Sequence, residues 1–329
     1  MNSQSLACVF PGQGSQEVAM LADMFAHFSF VPDLFKRASA ALNENLLSIV
    51  QNGPVEQLNQ TIYTQPIMLA ADMALWQVWL FNHYPEPHYL AGHSLGEYAA
   101  LVAAEAIDFT DAIRLVRTRA ILMQNAVPAG QGATAVVLSL TVDVIRAICD
   151  DVTQKTGLLV SAVNFNSPEQ TVIAGEKAAV EEAMLAAKKA GAKRAALLPV
   201  SIPVHCDMMR GIADDFAQAL NKIAIRTPKI AVINNVDVSV NSHPDDIRAA
   251  LVRQIYNPVR WIETIEHMKT QGVTHIIECG PKAVLTGLIK RIDKEIIIGN
   301  LNNIENLTKL AELFRTNVGE DCGKESLSD

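Results

Sequence analysis

The run Gly92-His93-Ser94-Leu95-Gly96 sets a serine between two glycines, each two residues away. In a nucleophile elbow such glycines let a strand, a tight turn and a helix approach without Cβ clashes, so that the hydroxyl projects from the turn. The chemistry this suits is acyl transfer through an acyl-serine. The context agrees, because the apolar stretch Tyr89–Gly92 precedes the run and helix-forming residues 97–106 follow it. An ordinary turn capped by serine would also carry these five residues, so the pattern needs partners.

An attacked carbonyl needs donors for its oxyanion. The backbone N–H of Leu95 stands at the start of the following helix, where the helix dipole adds to its pull. Gln13 is the candidate for the second donor: it lies in the glycine-rich turn Phe10 to Gln16, after the first strand, at the sheet edge where such sites collect. The same turn could hold a phosphate, but it lacks the lysine of a P-loop and the full G-x-G-x-x-G spacing.

The serine also needs a base, and there are eight histidines. His205 is the best placed, following the apolar segment Leu197 to Val204 at a strand-to-loop junction from which a side chain can enter a cleft. His93 adjoins the serine but points elsewhere around the turn. His27, His83 and His88 precede it, His243 sits in a polar loop, His267 in a helical stretch and His275 within a strand. A structural histidine would fit position 205 equally well. No aspartate or glutamate stands out as a triad acid.

Arginines 114, 117 and 119 lie on the expected helix 110–125, and a step of about 100° per residue separates them. Arg119 falls within the apolar face formed by Ala112, Leu115, Val116, Leu122 and Met123, whereas Arg114 and Arg117 project to the opposite, solvated side. An inward guanidinium is costly unless it meets an anion, and its planar fork suits a carboxylate. The anion could be an internal Asp or Glu, or the carboxylate of an acyl group.

These residues require a scaffold of alternating short strands and longer helices. Apolar runs at Leu6–Phe10, Tyr89–Gly92, Ala231–Asn234, His275–Glu278 and Ile296–Gly299, separated by helical patterns, predict an α/β domain with a mainly parallel sheet. Between the linkers 127–132 and 199–203 the order changes to strand 133–140, helix 142–153, strands 158–164 and 171–174, helix 178–190 and strand 194–200. That is the βαββαβ order of a ferredoxin-like subdomain. The expected division is residues 1–129 and 200–314 for the large domain, 130–199 for the insert, and 315–329 as a polar, disordered tail.

The chain has 329 residues, 50% apolar and 19% charged, enough to bury a substantial core. Its net charge of −8 disfavours nucleic acid as a partner. No apolar run reaches the roughly 20 residues that span a bilayer, and Pro11-Gly12 ends the first apolar stretch too early for a secretory signal. A cytoplasmic protein is expected, without membrane association. Five scattered cysteines with no C-x-x-C pair argue for reduced thiols rather than a disulfide framework or a metal site.

Taken together, the residues closely resemble the malonyl-CoA:acyl carrier protein transacylases of bacterial type II fatty acid synthesis. The resemblance runs to about residue 314 and rests on the segments 10–16, Thr64-Gln65-Pro66, 92–98, Arg119, 164–168, Pro203-Val204-His205 and 254–258. It implies a hydrolase-like parallel-sheet domain with the ferredoxin-like insert, and an active site in the gorge between them. Ser94 would take a malonyl group from malonyl-CoA with His205 as base, the N–H groups of Gln13 and Leu95 would hold the oxyanion, and Arg119 would bind the malonyl carboxylate. The resemblance puts the carbonyl of Gln254 in place of the missing acid, and Gln65, His93, Asn164 and Val204 along the pocket.

The acyl group would pass to the phosphopantetheine thiol of acyl carrier protein, with no bound cofactor or metal and the enzyme acting as a monomer. Lys188, Lys189, Lys193 and Arg194 on the insert, with Lys282, Lys290 and Arg291 on the main body, would steer that acidic partner, unless they are ordinary solvated faces. Two positions depart or vary. The turn Gly280-Pro281-Lys282-Ala283 replaces the commoner glycine-proline-glycine-lysine, and position 204 varies with acyl specificity in the wider family. A polyketide-synthase acyltransferase shares this chemistry, a serine thioesterase or carboxylesterase shares the elbow, and a non-catalytic scaffold would not need Ser94, His205 and Arg119 intact.

Overall fold

In the computed structural model, residues 5–199 and 202–318 are described. Five strands, β1 (Ser5–Phe10), β2 (Tyr89–Gly92), β7 (Ala231–Ile233), β8 (Val273–Glu278) and β9 (Ile297–Asn300), form one sheet in the order β7-β2-β1-β8-β9. Every pairing in it is parallel. Such a sheet is covered on both faces, which is why its strands read as continuous apolar runs. Along β1, Leu6, Cys8 and Phe10 enter one core and Ala7 and Val9 the other. The first core holds the helices Thr61–Phe81, Gly96–Ala103 and Phe109–Asn125; the second holds Trp261, Ile265 and Met268 of Trp261–Thr270 and Leu285, Leu288 and Ile289 of Val284–Ile292.

The second sheet is antiparallel, in the order β4-β5-β3-β6, from β3 (Gly132–Leu138), β4 (Val160–Ser167), β5 (Gln170–Glu176) and β6 (Arg194–Leu197). With helices Val142–Thr156 and Lys177–Lys189 it has the ferredoxin-like order and topology. β6 stops short of the expected end because Pro199 has no N–H to continue a ladder. Backbone bonds stitch β4 to the main body: Val259 N–H donates to Val163 O at 2.9 Å and Phe165 N–H to Val259 O at 3.0 Å. Thr134 Oγ1 donates to Ile202 O at 3.0 Å, tying β3 to the segment that carries His205.

One boundary differs from expectation. The polar stretch from Arg315 begins inside a helix, Ile304–Val318, whose apolar face packs Leu307 and Leu310 into the core; residues 319–329 lie outside the described residues. No helix among the described residues is long and apolar enough to cross a membrane.

Candidate active site

The loops that follow β1, β2 and β8 all leave the carboxyl edge of the parallel sheet, and they meet there. The turn after β2 is an elbow: Ser94 has φ 52°, a left-handed conformation held by its surroundings. A Cβ on Gly92 would lie 1.8 Å from the backbone carbon of Gly96, and one on Gly96 would lie 2.0 Å from Phe10 O. Only glycine fits at either place. Asn235, just beyond β7, braces the turn by accepting the Ser94 N–H at 2.7 Å and donating Nδ2 to Gly92 O at 2.6 Å.

Ser94 Oγ is 2.7 Å from His205 Nε2, and His205 Nδ1 is 2.8 Å from the backbone carbonyl of Gln254. A carbonyl only accepts, so Nδ1 carries the proton and Nε2 is left free to accept the serine hydroxyl. No carboxylate is needed to set that tautomer. Burial, and then the Arg119 charge, hold His205 down to about 3, so the ring is neutral in the resting protein.

Arg119 is 1% exposed and lies on the apolar face of its helix. Its Nη1 donates to Gln65 Oε1 at 3.0 Å; its Nη2 donates to Gln254 Oε1 at 3.1 Å and to Ser94 Oγ at 3.2 Å. Its partners are amide and hydroxyl oxygens, and among the described residues no carboxylate is within ion-pair distance of it. Arg117, expected in solvent, instead bonds Ile62 O and pairs with Glu44 beside the Tyr63 ring. Helical phase gives the direction in which a side chain leaves its helix; it does not show what packs across that face. Arg114 is exposed, as expected.

Gln13 lies against the elbow, since its neighbour Gly12 would place a Cβ 3.6 Å from Leu95 N. Its side chain accepts from Gln65 Nε2 at 3.3 Å and donates to Thr61 Oγ1 at 3.2 Å. Among the described residues, neither the Gln13 nor the Leu95 backbone N–H has a partner, which leaves both for a ligand. The arrangement can therefore deprotonate a serine, stabilise an oxyanion and hold an anion, all around one oxygen. A cavity of about 530 Å³ lined by Arg37, Trp76, Trp79 and Phe109 contains none of these residues; their mutual bonds, not the size of a hole, mark the site.

Residues 7–319 match the acyl transferase domain family. The chain belongs to that family. The malonyl CoA-acyl carrier protein transacylase of Escherichia coli (strain K12) is 51% identical over 307 residues, covering 93% of this chain and 99% of that protein. The namesake in Bacillus subtilis (strain 168) is 39% identical over 291 residues, covering 88% and 91%. Among solved structures, an acyl carrier protein S-malonyltransferase from Vibrio cholerae O1 biovar eltor has a TM-score of 0.90 at 50% identity, covering 93% of this chain and 100% of its own. A malonyl-transacylase in complex with its type II PKS acyl-carrier protein has a TM-score of 0.92 at 50% identity, covering 94% and 100%.

The remaining positions of this acyltransferase fall at varying distances from the serine. His93 Nε2 bonds Asn166 Oδ1 at 2.8 Å and meets the edge of Trp261, so it ties the elbow to β4; burial lowers its pKa. Asn164 is buried on β4 and Val204 half-buried beside His205. Lys188, Lys189, Lys193 and Arg194 are exposed on the small subdomain. Lys282 pairs with Glu17 at 2.9 Å, Arg291 bonds Gln170 at 2.9 Å, and Lys290 is exposed. The altered turn is anchored at both ends: a Cβ on Gly280 would strike the Pro11 ring at 2.2 Å, and the buried Glu278 carboxylate accepts the N–H groups of Val284, Leu285 and Thr286.

Two residues of the site were not singled out from sequence. Asn235 follows a strand end, where a polar pair, Asn234-Asn235, was the available signal. Glu97 lies within the 92–98 segment, where nothing beside it in the sequence marks a role. It is buried below the elbow, where its Oε2 accepts Asn235 N–H at 3.0 Å and Gln254 Nε2 at 2.7 Å.

Proposed function

We propose that this acyltransferase carries a malonyl group from malonyl-CoA to the phosphopantetheine thiol of acyl carrier protein, through a malonyl ester on Ser94. The observation that carries this reading is the placement of Ser94 Oγ between His205 Nε2 at 2.7 Å and Arg119 Nη2 at 3.2 Å. A base stands on one side of the nucleophile and an anion receptor on the other. The names and close similarity of the relatives support the same activity.

In the first half-reaction His205 Nε2 takes the serine proton as Oγ attacks the thioester carbonyl. The N–H groups of Gln13 and Leu95 receive the oxyanion. Collapse breaks the C–S bond, and the departing CoA sulfur takes the proton from His205. The second half-reaction runs the same steps in reverse: His205 deprotonates the phosphopantetheine thiol, its sulfur attacks the ester, and Ser94 leaves with the proton. Arg119 holds the malonyl carboxylate throughout by bonds charged on both sides, while the Gln65 and Gln254 amide oxygens keep the guanidinium in place.

The exposed Lys188, Lys189, Lys193 and Arg194, with Lys282, Lys290 and Arg291, receive the acidic carrier protein. The carrier-bound relative supports a protein acceptor and extends it to a polyketide carrier, which uses the same thiol. Intact-mass measurement after incubation with malonyl-CoA tests the function. A malonyl adduct is expected that is lost in Ser94→Ala and discharged by holo acyl carrier protein; rapid discharge to water would make the protein an esterase.

A further inference from the structure

Below the elbow the structure buries a carboxylate that the steps above do not use. Glu97 is 2% exposed and lies on the helix that starts at the elbow. Its Oε2 accepts from the Asn235 backbone and from Gln254 Nε2, while Gln254 turns its Oε1 to Arg119 and its backbone carbonyl to His205. If the Gln254 amide were reversed, its NH₂ would face the guanidinium and its oxygen would face Glu97, opposing like groups at both ends. The carboxylate, with the Ser94 carbonyl that also accepts from Nε2 at 3.1 Å, thereby selects the orientation that presents an acceptor to Arg119.

The charges matter as much as the bonds. In the resting protein Glu97 is the anion that Arg119 feels through Gln254, and each favours the charged form of the other. The other groups near Glu97 are Asp237 from the loop after β7, which pairs with Arg253, and Tyr98, its own neighbour on the helix. A malonyl carboxylate arriving at Arg119 sets two buried anions against one cation. Resting on the malonyl reading above, we propose that Glu97 is the positioning and charge-balancing residue of the acyl-carboxylate site: it fixes Gln254 against Arg119, and its share of bound proton rises, at the expense of solvent, when the malonyl group is loaded.

The geometry allows that proton without disturbing the clamp. Both bonds fall on Oε2, so protonation of Oε1 breaks neither. Glu97 also lines a cavity of about 10 Å³ with Asn234, Asn241 and the apolar Leu101, Val232, Ile247 and Ala250. That is room for about one water, beside polar groups that could hold it and relay a proton from the half-exposed Asn241. Burial raises the Glu97 pKa to about 7, so a further rise on loading falls where the protein works.

The test uses the whole chain and two readouts. In weakly buffered indicator dye at pH 7.5, malonyl-CoA should produce uptake of a fraction of a proton per adduct, the adduct being counted by intact mass; Glu97→Gln and acetyl-CoA should produce none. For malonyl-CoA, kcat/KM of the wild type should fall about 2- to 6-fold between pH 6.5 and 8.5, the change over that window for a shift of half to one pKa unit from about 7. With acetyl-CoA, or in Glu97→Gln, that fall should vanish. An adduct formed with no proton uptake and the same pH profile in both proteins would overturn the proposal. Absence of any malonyl adduct would instead overturn the reading on which it rests. Proton uptake by the wild type decides the matter even if the variant folds poorly.

Discussion

Arg119 Nη2 and His205 Nε2 approach the same atom, Ser94 Oγ, at 3.2 and 2.7 Å. The nucleophile is thus shared between a fixed cation and a neutral base. The cation weakens the base, because its charge opposes formation of the imidazolium, and in the proposed reaction it also receives the acyl carboxylate. A malonyl carboxylate seated on Arg119 cancels that opposition, so the cargo itself strengthens the base that loads it.

Removing the arginine should therefore separate acyl groups. Arg119→Ala is expected to lose about 2–4 kcal/mol of malonyl transition-state binding, roughly 30- to 900-fold in kcat/KM. Acetyl transfer should be spared, since His205 becomes the better base. Kinetics with both thioesters checks this; equal losses accompanied by a lowered melting temperature would make Arg119 a structural residue.

His205 links stability to pH. Its folded pKa is held down to about 3 while the unfolded ring titrates near 6.5, so the unfolded chain takes the proton first as pH falls. The contribution is complete above pH 6.5 and is lost between there and about 3. Relative to His205→Gln, which cannot be charged, the wild type should lose about 2 kcal/mol of stability from pH 7.5 to 5, measurable by urea unfolding at the two pH values. Parallel curves would contradict a buried neutral imidazole.

The elbow should tolerate loss of its hydroxyl but not gain of a methyl. Ser94→Ala leaves the backbone contacts in place and should fold normally without activity. Gly92→Ala drives a Cβ to 1.8 Å from Gly96, which overpacking makes destabilising by about 3 kcal/mol or more. Thermal unfolding of the two variants gives the comparison, and a Gly92→Ala protein as stable as the parent would rule out so close an approach.

Asn235 carries no chemistry of its own, yet it holds Ser94 N–H and Gly92 O. Asn235→Ala should cost about 1–3 kcal/mol by leaving both unpaired and should lower kcat while leaving the KM for malonyl-CoA nearly unchanged, because the anion site is untouched. A change confined to KM would place Asn235 in substrate binding instead.

The carrier protein should sense charge on the small subdomain. Reversing Lys189 and Arg194 to glutamate is expected to raise the KM for acyl carrier protein several-fold and flatten its dependence on salt, with the malonyl-CoA half-reaction unaffected. Unchanged KM and salt dependence would return these residues to ordinary solvated surface.

Much of this was legible because it is local. The glycines around Ser94 are two residues away, the apolar runs of β1 and β2 show a strand covered on both faces, and the phase of Arg119 follows from one helix. The βαββαβ order of the insert is likewise a sequence of neighbours. What stayed hidden depends on distant partners. Glu97 meets Asn235 and Gln254 across 138 and 157 positions, and nothing beside it in the chain marks it as an acceptor. A helix wheel sends Arg117 to solvent because it does not include Glu44 or Ile62, which reach it from other elements. The polar residues after Phe314 concealed another turn of helix, whose apolar side had already docked upstream.

Ser94 and His205 both occupy left-handed backbone, with φ of 52° and 63°. For residues bearing a Cβ that conformation costs of the order of 1 kcal/mol apiece, a cost that glycine escapes. The two side chains to which the proposed acyl exchange is assigned are also two of the less comfortable residues in the chain. At the buried His205 a glycine would leave a cavity and an unpaired Gln254 carbonyl, but at the half-buried Ser94 it would relieve the turn, so a descendant released from catalysis could become sturdier at the very residue whose loss ends the chemistry.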